Sequence, residues 1–141
     1  MREIMRSICA TAMAEKTIRV LLVDDTETVR RALRLMLGAE PDLVVIGEAG
    51  DGERAIRLAL ELHPDIILMD LALPDMSGID ATRRIRQSGE EAVVIMLTAF
   101  GGDETRAAAS RAGIALFLEK GDNLDDLAEK IRALHDRNIP S

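Results

Sequence analysis

The chain has no tryptophan and no tyrosine, and its only phenyl rings belong to Phe100 and Phe117. Base-stacking platforms are therefore missing, and the balance of 18 Lys and Arg against 25 Asp and Glu leaves a net charge of −7. An acidic chain without aromatic interleaving is not expected to bind nucleic acid directly. It also lacks the basic surface that an anionic membrane attracts. One cysteine, Cys9, cannot form an internal disulfide, which fits a reducing cytoplasm. Long apolar runs are absent too, so no transmembrane span is expected. At the N-terminus, "MREIMRSICATAMAEK" has an early Arg and an A-x-A-like "ATA", but Arg6 and Ser7 cut its apolar segment short of a secretory signal. Residues 1–16 read as a poorly ordered tail and 137–141 as a short C-terminal one.

Against those absences, nearly half of the 141 residues are apolar, enough for one domain with one sizeable core. From Ile18 the pattern alternates strand and helix five times. "IRVLLVDD", "LVVIGEA", "DIILMD", "AVVIMLTA" and "IALFLEK" are short, nearly continuous apolar runs. "ETVRRALRLMLGAE" carries Val29, Leu33, Met36 and Leu37 at helical spacing, and "NLDDLAEKIRALHDR" carries Leu124, Leu127, Ile131 and Leu134. Strands without polar alternation suit a parallel sheet covered on both faces. Helical crossovers between them give a doubly wound α/β domain with five strands and five helices. Ligands of such sheets bind beyond the carboxyl ends of the strands.

Those carboxyl ends are where the sequence places its chemistry. The first strand stops on Asp24 and Asp25, the third on Asp70, the fourth on Thr98, and the fifth on Glu119 and Lys120. Like charges ~4 Å apart repel by ~4 kcal/mol at an effective dielectric near 20. Lys120 offsets part of that charge, and hard carboxylate oxygens on a partly open site suit Mg²⁺ for the rest. Each residue has a plainer reading by itself. Asp24 and Asp25 could cap a helix, Thr98 could be a β-branched strand residue, and Lys120 a solvated charge. Phe117 could be core, and Pro74 and Gly78 loop punctuation. Their coincidence at matching strand ends favours one shared site. His63 and His135 sit near helix C-termini, where a cation suits the dipole, and are not read as ligands.

The set "VDD", "MDLALPDMSG", "LTA" and "FLEK" resembles the receiver domain of bacterial two-component response regulators, over about residues 17–136. The run from "AEPDLVV" to "DATRRIR" is similar to the LuxR/NarL-type branch. The resemblance implies a flavodoxin-like sheet of order 2-1-3-4-5. It makes Asp70 the phosphoacceptor for a sensor histidine kinase or phosphotransfer protein. Mg²⁺ would be held by Asp24, Asp25, Asp70 and the backbone carbonyl of Ala72. Thr98 and Lys120 would bond the phosphoryl group, and Thr98 with Phe117 would switch a surface of the fourth helix, fifth strand and fifth helix. Such a domain is a phosphoacceptor with self-phosphorylation and autodephosphorylation rather than a turnover enzyme. It implies homodimerisation on phosphorylation, and an output carried either by a stand-alone receiver or by a DNA-binding domain beyond this chain. Ala72 and Phe100, at positions that tune dephosphorylation, cannot hold a water as an acid or amide would, which implies a long-lived phosphorylated state. Two departures stand out: Gly121 follows Lys120 where many members have proline, and Leu73 replaces a frequent methionine.

Rival functions fit less well. A dinucleotide enzyme needs G-x-G-x-x-G after the first strand, where this chain has "DDTET". An aspartate-nucleophile phosphatase needs a second acid two residues after the nucleophile, and that place holds Ala72. A phosphorylation-independent pseudo-receiver would lack some of the acidic and basic positions, all of which are filled.

Overall fold

A computed structural model describes residues 17–99, 101–120 and 124–138. Five strands, β1 (Ile18–Val23), β2 (Leu43–Ala49), β3 (Ile66–Asp70), β4 (Val93–Thr98) and β5 (Leu116–Glu119), alternate with five helices. The helices are α1 (Glu27–Gly38), α2 (Gly52–Leu62), α3 (Gly78–Gln87), α4 (Asp103–Arg111) and α5 (Leu127–Asn138). All strand pairs are parallel, in the order β2-β1-β3-β4-β5. The chain runs outward from β1 to β2, then returns to the other side of β1 as β3. That reversal leaves a crevice at the carboxyl ends of β1 and β3.

Strand alternation divides the core in two. Val20 and Leu22 of β1, Ile66 and Leu68 of β3, and Ile95 and Leu97 of β4 face Leu33 and Leu37 of α1 and Leu127 and Ile131 of α5. The intervening Leu21, Val23, Ile67, Met69, Val94 and Met96 face α2, α3 and α4. Every residue of β3 and β4 is buried, which is why those strands read as unbroken apolar runs. Val44 on the edge strand β2 stays 40% exposed.

Two helical expectations need correction. Met36 is 39% exposed, because the buried stripe of α1 runs through Leu33 and Leu37, four residues apart, and position 36 falls beside it. The last helix is Leu127–Asn138, so Leu124, expected on its apolar face, precedes it. Expectations for residues 1–16, Phe100, Gly121 and the last three residues lie outside the described residues. Among the described residues no helix is long and apolar enough to cross a membrane.

His63 stands at a helix C-terminus as expected. It closes α2 in the left-handed region (φ 50°), and its Nδ1 lies 2.8 Å from Glu90 Oε2. The terminal carbonyls of α2 are instead served by Arg19, whose guanidinium donates to Leu62 and His63 at 2.7 Å each. At the far edge, Arg132 of α5 forks onto the Asp42 carboxylate at 2.6 and 2.8 Å, tying α5 to the turn before β2. The fork holds the Asp42 carboxyl below its ordinary range.

Candidate functional site

The acids expected at the strand ends meet. Asp24 and Asp25 follow β1, Asp70 ends β3, and each offers a carboxylate oxygen within 4.8 Å of the other two. Asp24 and Asp70 are buried, whereas Asp25 is exposed. Thr98 ends β4 one residue beyond Leu97, the register partner of Asp70, and is buried. Lys120 follows β5, its N–H fixed on the Thr98 carbonyl at 2.6 Å. Its ammonium reaches over the cluster to Asp24 Oδ2 at 2.6 Å and Asp70 Oδ2 at 3.5 Å.

The loop after β1 is tied down from several directions. The Asp24 N–H donates to the Ala49 carbonyl at 3.0 Å, and Asp24 Oδ1 accepts the Thr26 N–H at 2.8 Å. Thr26, not either aspartate, stands at the N-cap of α1. Both oxygens of Asp24 are thus engaged, one by Thr26 and one by Lys120. Asp25, whose Oδ1 meets only the Thr26 hydroxyl at 3.4 Å among its hydrogen bonds here, is the more open acid. Sequence reasoning missed Arg30. It lies on α1, where its guanidinium donates to the Asp24 carbonyl and to Glu48 of β2 at 3.2 Å. No local motif announces that role, since its partners are a main-chain oxygen and a residue on another strand.

Beyond β3 the chain must turn sharply. The Gly78 N–H donates to the Leu71 carbonyl at 2.7 Å, and Ala72 bridges to Ser77. The Ala72 backbone lies near enough to the Asp70 carboxylate to favour its ionised form. Phe117 lies partly buried on β5 with Arg106 of α4 stacked 4.6 Å above its ring.

Electrostatics follow from that packing. Burial pushes the Asp70 carboxyl above its ordinary value, Asp24 adds to the rise, and Lys120 and the Ala72 backbone only partly counter it. Burial alone would lower the Lys120 ammonium, but the hydrogen bond to Asp24 and the charges of Asp70 and Asp24 outweigh it and hold it high. In the metal-free protein, then, ionised Asp70 costs stability. The cost is absent below the unfolded carboxyl pKa, grows as pH rises toward the folded value, and is complete above it. Asp70→Asn is expected to raise the thermal midpoint in EDTA at pH 7 by a few degrees, roughly the effect of ~1 kcal/mol. That gain shrinks as pH falls through the folded pKa. Circular-dichroism melts from pH 7 to 4 measure it, and a destabilised mutant at pH 7 would contradict it.

Three carboxylates, two of them buried and sharing one ammonium, form a hard-oxygen donor set with an excess of negative charge. That set fits a divalent cation such as Mg²⁺. The family model described as the response regulator receiver domain matches residues 20–132. The chain belongs to that family. It is a receiver domain of two-component signalling, and its LuxR/NarL-type resemblance holds against individual relatives. It is 46% identical over 116 residues to the transcriptional regulatory protein LiaR of Bacillus subtilis, covering 82% of this chain and 55% of that protein. A LuxR-family two-component response regulator from an Aurantimonas species superposes with a TM-score of 0.81 at 36% identity, covering 86% of each chain. The receiver domain of NarL from Mycobacterium tuberculosis gives a TM-score of 0.81 at 25% identity, covering 86% of this chain and 98% of that one. This receiver spans about half the length of the curated relatives it matches.

Proposed function

We propose that this receiver accepts a phosphoryl group on Asp70 and relays that event through its α4–β5–α5 face. One observation carries the reading: the Lys120 ammonium bridges Asp24 and Asp70 at the mouth of the three-acid cluster. An Asp70 carboxylate oxygen attacks the phosphorus of a phosphohistidine on a sensor kinase or phosphotransfer protein. The new O–P bond forms as the P–N bond breaks, and the imidazole leaves with the electron pair. Transfer of this kind needs little beyond positioning and stabilisation of charge on the equatorial oxygens.

The rigid end of β3 aims Asp70, and burial of β3 and β4 keeps that aim fixed. Lys120 supplies a cation for a phosphoryl oxygen, and the Thr98 hydroxyl a donor for another. Asp25, Asp24, Asp70 and the Ala72 carbonyl are the groups that would hold Mg²⁺. When bound, the ion offsets the charge of the acids and of the incoming phosphoryl group. The added charge then draws Thr98 toward Asp70, and Phe117 on the neighbouring strand follows, altering the α4–β5–α5 face. A transcriptional regulatory protein at 46% identity supports an output on transcription, exerted either by a stand-alone receiver or through a DNA-binding domain outside this sequence.

Acetyl phosphate with Mg²⁺ tests the reading by intact-mass measurement. Wild type is expected to gain one phosphoryl group, and to gain none when EDTA is added first. No gain in the presence of Mg²⁺ would leave a pseudo-receiver that binds partners without phosphorylation.

A further inference from the structure

The connection between β3 and α3 carries Ala72 beside Asp70, and its far side is fastened to a helix outside the acidic cluster. Asp75, near its tip, spends both carboxylate oxygens on the start of α2. Oδ1 accepts the Gly52 N–H at 2.7 Å and Oδ2 the Glu53 N–H at 3.0 Å. Those are the first N–H groups of the helix, which have no intrahelical acceptor. The next, of Arg54, goes to Asp51 Oδ1 at 2.7 Å. The end of α2 is therefore capped jointly, by its own Asp51 and by Asp75 from a loop more than twenty positions away. These bonds hold the Asp75 carboxyl below its ordinary range, so it stays an acceptor at neutral pH.

The seam has an apolar half as well. Met76 packs so closely on Gly52 that a Cβ there would lie 2.4 Å from Met76 Cγ and 2.6 Å from Sδ. Arg84 of α3 adds an ion pair to Glu53 at 2.7 Å. On its inner side the same loop is closed by Gly78 on Leu71 and by the bridge from Ala72, two residues after Asp70, to Ser77. One short segment thus links the start of α2 to the phosphoacceptor carboxylate.

We propose that Asp75 is a positioning residue for divalent-cation binding, clamping the β3–α3 loop on α2 so that the Ala72 backbone stays set against Asp70. The inference rests on the reading of the three acids as the Mg²⁺ and phosphoryl site. Asp75 acts through the loop, because both of its oxygens are already committed to α2. Gly52 serves the same end by leaving room for Met76.

Calorimetric titration of Mg²⁺ into the full chain, with variants checked for folding by circular dichroism, provides the test. Asp75→Ala is expected to weaken Mg²⁺ binding by about tenfold, as loss of an outer partner of a metal site does. Asp75→Asn keeps one acceptor and should fall between alanine and wild type. Gly52→Ala changes no charge, pushes Met76 and the loop away, and should weaken binding by a similar factor. The double variant should be little worse than the poorer single one, since both break one seam. With acetyl phosphate, the Mg²⁺ concentration for half-maximal rate should rise while the rate at saturating Mg²⁺ stays within about twofold of wild type. A merely structural seam would lower the melting point in EDTA and leave the Mg²⁺ affinity of the folded variants unchanged, and that result overturns the proposal. Weak binding in both Asp75 variants with a normal Gly52→Ala would reduce the effect to lost charge, and also overturns it. Wild type that fails to bind Mg²⁺ would overturn the reading of the acidic site itself.

Discussion

Lys120→Ala is expected to slow phosphoryl acceptance by about 10²–10³-fold at saturating Mg²⁺, the usual loss when one preorganised charge-stabilising donor is removed. The ammonium is the only side-chain cation bridging Asp24 and Asp70 among the described residues. Without it two buried carboxylates face each other, with ~4 kcal/mol of repulsion at 4 Å and an effective dielectric near 20. The first consequence, in the metal-free protein, is a still higher Asp70 pKa. The second is a lower melting point in EDTA at pH 7. Lys120→Arg should not restore the rate, because a planar fork cannot occupy the space of a point charge 2.6 Å from Asp24. Initial rates with acetyl phosphate, followed by intact mass, measure the effect. A rate within threefold of wild type would remove Lys120 from the site.

Gly78→Ala should be nearly as damaging, for a steric reason. A Cβ at position 78 would lie 2.1 Å from the Asp70 carbonyl oxygen and 2.9 Å from Met69 Cγ. The nearest obstacle is main chain at the end of a fully buried strand, so it cannot swing aside. Helix propensity favours alanine by up to ~1 kcal/mol, but overpacking of this kind costs about 3 kcal/mol. A drop in melting point of roughly 6–10 °C is expected, along with misdirection of Asp70 and loss of acceptance. Gly38→Ala is the control: it ends α1 with nothing within 4 Å of the added carbon, and should melt at or slightly above the wild-type temperature. Equal melting points for the two variants would contradict the close approach at Gly78.

The sequence made some of this legible and hid the rest for identifiable reasons. β1, β3 and β4 read clearly because strands buried on both faces need apolar residues at successive positions, and the acids or hydroxyl at or just past their ends then stand out. Meeting of Asp24, Asp25, Asp70 and Lys120 follows once the strands are parallel, since every carboxyl end then lies on one rim. Residues that act through main-chain partners were not legible. Arg30 holds the Asp24 carbonyl, and Asp75 holds two N–H groups of α2. Backbone acceptors and donors carry no residue code, so no spacing rule points to them. Apolar periodicity misled at Met36, which lies at the margin of the buried stripe and stays 39% exposed, while Leu37 is fully buried. α4, whose sequence "DETRAAASR" offers only small apolar residues, buries Ala109 alone.

The account stands on Asp70 as the atom-level acceptor in a centre shared with Asp24, Asp25 and Lys120. Reductive trapping tests this most directly: treat the protein with acetyl phosphate and Mg²⁺, reduce with borohydride, and sequence the peptides by mass spectrometry. An acyl phosphate is reduced to the alcohol, so the account predicts homoserine at position 70 and at no other aspartate. Homoserine at position 24 or 25, or an unmodified residue 70 in protein that has gained a phosphoryl group, would contradict it.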